Sequence, residues 1–225
     1  METPEKILMQ KELSEFFNRW TPEMAYVLGF FAADGSMYEN PRGSKYVSFY
    51  SADLEIIEKI RNVIGVSNAI GKRTMRTRMK HPGYVLQIGS KQMFERLIRL
   101  GFTPRKSTTL LFPKIPSTYL PHFIRGYFDG DGNVTISVFR RKDRGNRAAR
   151  TMLSGFTSGS RQFLVDLRKS LAQYAGMGNG TLYFANRGHR LYYSVNDSKK
   201  LSRFMYPLTV PSLFLNRKKA IFARY

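Results

Sequence analysis

The sequence of 225 residues contains no cysteine and only three histidines. Without cysteine the protein has no disulfides, no thiol catalysis and no cysteine-based metal site. The histidines His81, His122 and His189 are too scattered along the chain to indicate a zinc cluster. Disulfide scaffolds, thiol enzymes and zinc-finger modules are therefore excluded.

Long apolar runs and a balancing number of acidic residues are also missing. No apolar run approaches the roughly 20 residues needed to span a bilayer, and METPEKILMQKELSEFF at the start resembles neither a secretory signal nor a transit peptide. Only 16 acidic residues oppose 37 Lys and Arg, which gives a net charge of +21. Such a charge repels itself unless a polyanion binds it, so nucleic acid is the predicted partner and a membrane surface is a distant alternative.

The sequence contains an internal repeat. MAYVLGFFAADGS, Met24 to Ser36, and PHFIRGYFDGDGN, Pro121 to Asn133, share a Gly, two aromatics, two further residues and Asp-Gly. Asp34 and Asp131 fall in register, 97 residues apart, whereas the similarity farther downstream has an offset of 107. We therefore expect about ten extra residues in FRRKDRGNRAAR, Phe139 to Arg150, which is polar, cationic and strand-breaking.

Each copy of the repeat is predicted to form an αββαββα unit. Thr21 and Ser117 are candidate N-caps of the first helix in each unit, Asp53 and Ser160 of the second, and alternating apolar residues indicate the strands. LLFPKIPSTYLP holds three prolines and is typical of a short, stiff linker. The expected fold class is α+β: two antiparallel sheets, each backed by helices, related by a pseudo-twofold. The expected domains are an N-terminal half (1–110), a linker (111–119) and a C-terminal half (120–225).

The repeated Asp-Gly sequences indicate a metal site. Small residues such as Gly29, Gly126 and Gly130 would let the two helices pack closely, and each helix would then end at an Asp. Two carboxylates at adjacent, partly negative helix ends repel one another unless a divalent cation lies between them. The orphan carbonyls of Ala33 and Gly130 are further candidate ligands. The alternative is that both acids merely end their helices, but duplication of the whole context in so basic a chain favours metal-assisted phosphodiester hydrolysis.

LGFFAADG (Leu28 to Gly35) and IRGYFDGDG (Ile124 to Gly132) resemble the two motifs of the single-chain LAGLIDADG homing endonucleases. The resemblance covers nearly the whole chain from about Thr21. It implies a monomer that binds a long double-stranded DNA target with two saddle-shaped sheets and cuts both strands using Mg²⁺, with Mn²⁺ able to substitute and Ca²⁺ binding without cleavage. Asp34 and Asp131 would hold the metal, and Lys106 and Lys218 would be auxiliary catalytic residues unless they only contact phosphates. The first motif departs from the second in having Ala32 where the second has Asp129.

The resemblance also implies a gene carried in an intron or intein. With neither an N-terminal Cys nor a C-terminal His-Asn, we expect no self-splicing domain and an intron-encoded protein. Its expected location is an intracellular compartment that contains DNA, such as a prokaryotic cytoplasm or an organelle matrix.

Strand alternation predicts which side chains face DNA rather than the helices. Ile136 and Val138 are expected to face the helices. The alternative to DNA binding is that the opposite, polar face of the strands is only solvated. The predicted DNA-facing residues are Tyr46, Ser48, Tyr50, Lys72, Thr74, Arg76, Arg78 and Gln87 in the first half, and Asn133, Thr135, Ser137, Phe139, Tyr183, Arg187, Arg190, Tyr192 and Ser194 in the second.

The predicted function is therefore that of a site-specific DNA endonuclease. The alternative is a relative that binds DNA or RNA without cutting, such as a maturase or a transcription regulator. Loss of cutting would be expected to remove a metal-bearing acid, and both acids are present.

Overall fold

The computed structural model describes residues 16–73, 83–207 and 213–225, which form two successive αββαββα units. The first unit consists of α1 (Pro22–Asp34), β1 (Gly35–Glu39), β2 (Lys45–Ser51), α2 (Leu54–Ile64), β3 (Ile70–Arg73), β4 (Gly83–Gly89) and α3 (Lys91–Arg99). The second consists of α4 (Leu120–Asp131), β5 (Gly132–Arg141), β6 (Arg147–Ser158), α5 (Arg161–Ala175), β7 (Thr181–Ala185), β8 (Gly188–Tyr193) and α6 (Val195–Met205), followed by an additional helix α7 (Asn216–Ala223). The predicted α+β class and its duplication are confirmed.

Each unit has one four-stranded antiparallel sheet, with strand orders β1-β2-β4-β3 and β5-β6-β8-β7. The same order in both sheets reproduces the sequence repeat. The hairpin β5–β6 is the main difference between them, because each of its strands is five residues longer than its counterpart in β1–β2. These two extensions account for the ten extra residues, but the prediction that this segment breaks strands is wrong: pairing continues to Arg141↔Arg147 around a short turn.

Local sequence signals explain where most helices begin and end. The Thr21 hydroxyl accepts a hydrogen bond from the Met24 amide at 3.0 Å, with Pro22 at the first helical position. Ser160 caps α5 in the same way, and Gly65 and Gly176 end α2 and α5 in left-handed backbone. The expected cap at Ser117 is wrong, since a 3₁₀ turn intervenes and α4 begins only at Leu120.

The two helices that carry the repeated Asp-Gly, α1 and α4, lie together at the centre and are called the motif helices. Every residue of α1 from Met24 to Ala32 is buried, so this helix is surrounded rather than amphipathic. Phe31 packs edge-on against Phe49 of β2, and Phe128 packs in the same way against Phe156 of β6. The cores of both halves therefore extend onto the motif helices.

Residues 100–116 connect the halves without a helix or strand. Phe102 packs against Phe31 of the first half, whereas Phe112 packs against Phe123 and Phe163 of the second. The connection therefore contributes to both cores in turn. Among the described residues, no helix has the length and apolar character needed to cross a membrane.

Candidate active site and nucleic-acid interface

The motif helices approach more closely than side chains would allow. A Cβ added to Gly29 would overlap the Phe123 carbonyl, and one added to Gly126 would overlap the Tyr26 carbonyl. These two contacts are equivalent under the 97-residue repeat offset. The glycines thus let the helix backbones touch, which brings the ends of both helices to one place.

Asp34 and Asp131 are the last residues of the motif helices and lie beside each other there. A Cβ on Gly130 would lie 3.1 Å from the Asp34 Oδ2 atom. Gly35 and Gly132 then begin β1 and β5 with φ near −90°. These glycines are required by space and not by backbone angle, because a Cβ would overlap the ring of Phe31 or Phe128.

Both aspartates are half-buried, and their electrostatic environment is unfavourable for two negative charges. Burial, followed by repulsion from Asp34, raises the pKa of Asp131 to about 7. Burial also raises the pKa of Asp34, opposed by attraction to Lys218 and Lys106. Two half-buried carboxylates so close together repel each other, and a bound cation would relieve that repulsion.

Lys106 and Lys218 flank this pair in equivalent positions. The Lys106 ammonium donates to the Ala32 carbonyl at 2.9 Å, and the Lys218 ammonium donates to the equivalent Asp129 carbonyl at 2.7 Å. Each also lies over an equivalent ring, Phe31 at 5.3 Å and Phe128 at 5.5 Å. Both lysines are buried, and burial lowers the pKa of each to about 8.

The two lysines differ in how strongly they are held. Lys218 donates to three further carbonyls, those of Phe128 at 2.7 Å, Gly130 at 3.3 Å and Gly132 at 2.6 Å. Lys106 follows Arg105, whose φ of 61° lies in the left-handed region that a non-glycine residue seldom adopts. The backbone beside Lys106 therefore carries local strain of a kind often found at functional sites.

The oxygen atoms at the helix ends suit a hard divalent cation. Carboxylates are available from both motif helices, and the predicted carbonyl ligands belong to Ala33 and Gly130, which are half-buried. In the described part of the chain no group of three or more His, Asp or Glu residues could hold a metal. A two-carboxylate site fits Mg²⁺, which keeps several waters and takes substrate phosphate oxygens for the remaining positions.

Asp129 has a different role from the two terminal aspartates. Its Oδ2 atom accepts hydrogen bonds from the Tyr26 hydroxyl at 2.7 Å and the Leu215 amide at 2.9 Å, and the residue is 3% exposed. Burial raises the pKa of Asp129 to about 6. Because it faces away from solvent and links separate segments, Asp129 belongs to the support of the site.

The outer face of the first sheet, opposite its helices, carries part of the predicted DNA-facing set. Tyr46, Tyr50 and Gln87 lie on this face, since Val47, Phe49 and Leu86 alternate with them and are buried in the core. Tyr38, which sequence reasoning missed, stacks on Tyr46 at 5.0 Å. Its alternation with buried Met37 was the available signal.

Ser48 lies on the outer face but is fully buried, which corrects its prediction as a DNA contact. Its neighbours across the ladder are Ser36 and Gln87. The Gln87 side chain on β4 donates to the Tyr38 hydroxyl on β1 at 3.1 Å, so this bond spans β2, which lies between those strands. Among the described residues, the Ser48 hydroxyl finds no hydrogen-bond partner.

Lys72 lies on the wrong face for the predicted role. It pairs with Tyr84, and both share the helix-side face of Ile70 and Leu86 rather than that of Gln87. A shift of one residue in strand phase reverses every side chain, and so short a strand gives alternation little to establish the phase. The remaining predicted residues of this row, Thr74, Arg76 and Arg78, lie outside the described residues.

The outer face of the second sheet carries a different set of side chains. Asn133, Thr135, Ser137 and Phe139 of β5 lie on this face, as do Tyr183, Arg190 and Tyr192. Leu153 and Thr157 of β6 share it, although sequence reasoning missed Thr157. Val138 lies on the same face as the buried Val134, as expected, but it is 69% exposed and does not pack in the core.

Two predicted residues of the second half do not lie on the sheet face. Arg187 is at the tip of the two-residue β7–β8 turn, where it and Asn186 have positive φ, as in a type I′ hairpin. Ser194 follows β8 at the N-cap position of α6. These positions correct their predicted place in the row of strand residues. Both side chains are exposed, and their contact with DNA stays a prediction.

Comparison with known proteins shows what the first half and the whole fold are similar to. Residues 21–100 match the model of the LAGLIDADG-like domain. Two curated relatives are "Probable translation initiation factor IF-2" of Thermococcus kodakarensis, 28% identical over 130 residues, and an uncharacterized protein of Methanocaldococcus jannaschii, 26% identical over 119 residues. These matches cover 54% and 51% of this chain but only 10% and 40% of the relatives, so the chain spans a minor part of either.

Solved structures match almost the entire chain. The LAGLIDADG meganuclease I-AabMI bound to uncleaved DNA has a TM-score of 0.59 at 14% identity, covering 91% of this chain and 88% of that one. I-WcaI bound to its DNA recognition sequence has a TM-score of 0.59 at 12% identity, covering 98% and 94%. The chain therefore contains a LAGLIDADG-like domain in its first half and has, across both halves, the fold of the single-chain LAGLIDADG homing endonucleases.

Proposed function

We propose that the protein is a site-specific endonuclease that makes a double-strand break in duplex DNA by divalent-metal-dependent phosphodiester hydrolysis. The observation that carries this proposal is the pair Asp34 and Asp131, one from each motif helix, held together despite mutual repulsion. A purely structural helix end has no need of a second carboxylate beside it. The net charge of +21 supports DNA as the partner of the protein. Because one chain supplies both motif helices, the protein would act as a monomer.

In this proposal Asp34 and Asp131 hold the cation, with Ala33 and Gly130 offering backbone oxygens. When bound, a divalent cation supplies an activated water and stabilises negative charge on the scissile phosphate. Lys106 and Lys218 remain mainly protonated at pH 7, because their pKa values are about 8. Their ammonium groups are already fixed by carbonyls, so they would place positive charge beside the phosphate without further ordering.

The two sheets would bind the target on either side of this centre. The N-terminal half (1–110) would read one half-site and the C-terminal half (120–225) the other, with 111–119 joining them. Their outer faces carry unlike residues, such as Gln87 and Tyr46 against Thr135 and Leu153. The target should therefore be non-palindromic.

Related structures support the choice of partner and cofactor. I-SmaMI, with a TM-score of 0.56 and 16% identity, was determined with uncleaved target DNA in the presence of calcium ions. We propose Mg²⁺ as the cofactor here, Mn²⁺ as a substitute, and Ca²⁺ as an ion that permits binding without cutting.

Cleavage selection from a randomised duplex library in Mg²⁺ tests this function. We expect one family of long sites cut on both strands, with no cutting in EDTA. Recovery of bound but uncut DNA would support a relative that binds DNA without cutting. Failure to retain duplex DNA at low salt would contradict both of these functions and leave RNA as the partner of a non-cleaving relative.

A further inference from the structure

Residues 213–218, which we call the C-terminal strap, bind to the second motif helix α4 and end at Lys218. Arg125 of α4 is fully buried and donates from Nε to the Leu213 carbonyl at 3.1 Å and from Nη1 to the Met205 carbonyl at 2.8 Å. One turn farther along α4, Asp129 accepts the Leu215 amide at 2.9 Å. The same face of the helix therefore holds the strap at two points.

The other side of the strap contacts the first half. Arg217 forms a two-pronged ion pair with Asp53 at the start of α2, with a shortest distance of 2.7 Å. Asn216 donates to Glu55 at 2.7 Å, and the Phe214 carbonyl accepts from Lys59 at 3.1 Å. The strap is thus held between α4 of one half and α2 of the other, and Lys218 comes directly after these contacts.

The motif helix of the first half has no equivalent pair of charged residues. Under the repeat offset, Leu28 and Ala32 occupy the positions of Arg125 and Asp129 and have no charged group. Lys106 is carried instead by a segment anchored by the buried side chains Phe102 and Leu110. The two lysines therefore reach equivalent carbonyls through different supports, one polar and one apolar.

We propose that Arg125 and Asp129 are positioning residues that act through the C-terminal strap to hold the Lys218 ammonium beside Asp34 and Asp131. This inference rests on the proposed function for its catalytic meaning, but the positioning itself is a property of the free protein. Buried contacts dominate, since loss of a partner leaves a buried polar group unsatisfied, whereas the exposed pair Arg217–Asp53 is screened by solvent.

Competitive lysine acylation of the full chain, read by mass spectrometry, measures this positioning without DNA. In Asp129→Ala, and separately in Arg125→Met, we expect the reactivity of Lys218 to rise at least about tenfold, as for loss of one buried hydrogen bond. Lys106 in the same molecule is the internal reference and should not change. Tyr26→Phe is the matched control, because it removes the other partner of Asp129 and leaves the strap contact intact; it should protect Lys218 as the unmodified protein does.

An equal rise in Lys106 and Lys218 in both variants would mean that these residues stabilise the whole fold, and would overturn the proposal. No rise in either lysine would overturn it as well. These outcomes do not depend on whether the protein cuts DNA, so failure of the proposed function is distinguishable from failure of the strap.

The catalytic consequence is tested by a double-mutant cycle of single-turnover cleavage rates. Asp129→Ala should slow cutting with little change in DNA affinity, and combining it with Lys218→Met should add less than about twofold to the Lys218→Met defect. Combined with Lys106→Met, its defect should multiply. Equal multiplication in both cycles would contradict action through Lys218.

Discussion

At the scale of single residues, the candidate site is a place where folding stability and function oppose each other. Asp131 is half-buried and its pKa is raised from 3.8 to about 7, mainly by burial. The native state then binds more protons than the unfolded state between these values. The free energy of unfolding contributed by this group therefore falls as pH rises from about 4 to about 7.

Replacement of Asp131 by Asn should remove this loss. In EDTA we expect Asp131→Asn to melt at a higher temperature than the unmodified protein near pH 7 and at a similar temperature near pH 4. Adding Mg²⁺ should raise the melting temperature of the unmodified protein more than that of the variant. Differential scanning calorimetry across this pH range checks the prediction, and a variant that is less stable at pH 7 than at pH 4 relative to the parent would refute it.

At the scale of secondary structure elements, the motif helices depend on glycine for contact rather than for flexibility. Gly29→Ala and Gly126→Ala would each place a methyl group on a backbone carbonyl of the opposing helix. An alanine gains about 1 kcal/mol of helix propensity, but overpacking in so rigid a contact costs about 1–3 kcal/mol or more. We expect a lower free energy of unfolding in both variants, measured by urea denaturation, and reduced cleavage of the target. Ala172→Gly, on an exposed helical position, is the control that measures helix propensity without a helix contact. A stabilised Gly126→Ala protein would disprove the close helix contact.

The β5–β6 extension should lengthen the DNA contact on one side only. Residues 137–141 pair with 147–151, and within them Arg150 contacts Arg224 and Tyr225 at the C-terminus. Five residues at ~3.3 Å each reach about 17 Å, or roughly 5 base pairs. Deleting both segments would give a hairpin of the length of β1–β2. We expect the shortened protein to fold and to protect about 5 fewer base pairs on the side of the C-terminal half. A footprint that shrinks equally on both sides, or not at all, would contradict this placement of the sheet.

At the scale of the whole molecule, charge predicts strong dependence of DNA binding on salt. If roughly 6–10 phosphates are neutralised, affinity should decrease about 10³–10⁵-fold between 50 and 200 mM salt. Fluorescence anisotropy with a labelled duplex across this range gives the slope. A flat response would remove nucleic acid as the main partner.

The duplicated architecture could be predicted from the sequence because the repeat, the helix caps and the buried alternation of β2 and β4 all indicated it. The phase of β3 could not, since four residues give alternation too little to decide which face Lys72 takes. Ser48 is buried on β2 between residues of the strands on either side of it, and no local pattern encodes that. Arg125 and Asp129 were equally hidden, because the backbone groups that they bind are 80 to 88 residues away.

The central claim is that Asp34 and Asp131 form one cleavage centre between two DNA-binding sheets. The most direct measurement maps both nicks on the selected target, of roughly 15–18 base pairs for two sheets side by side, and measures affinity in parallel. We predict nicks near the middle of the protected region for the unmodified protein. Asp34→Asn and Asp131→Asn should each abolish double-strand cleavage while DNA affinity stays within a few fold. Cutting of both strands by either variant at a near-normal rate, or nicks outside the protected region, would contradict the account.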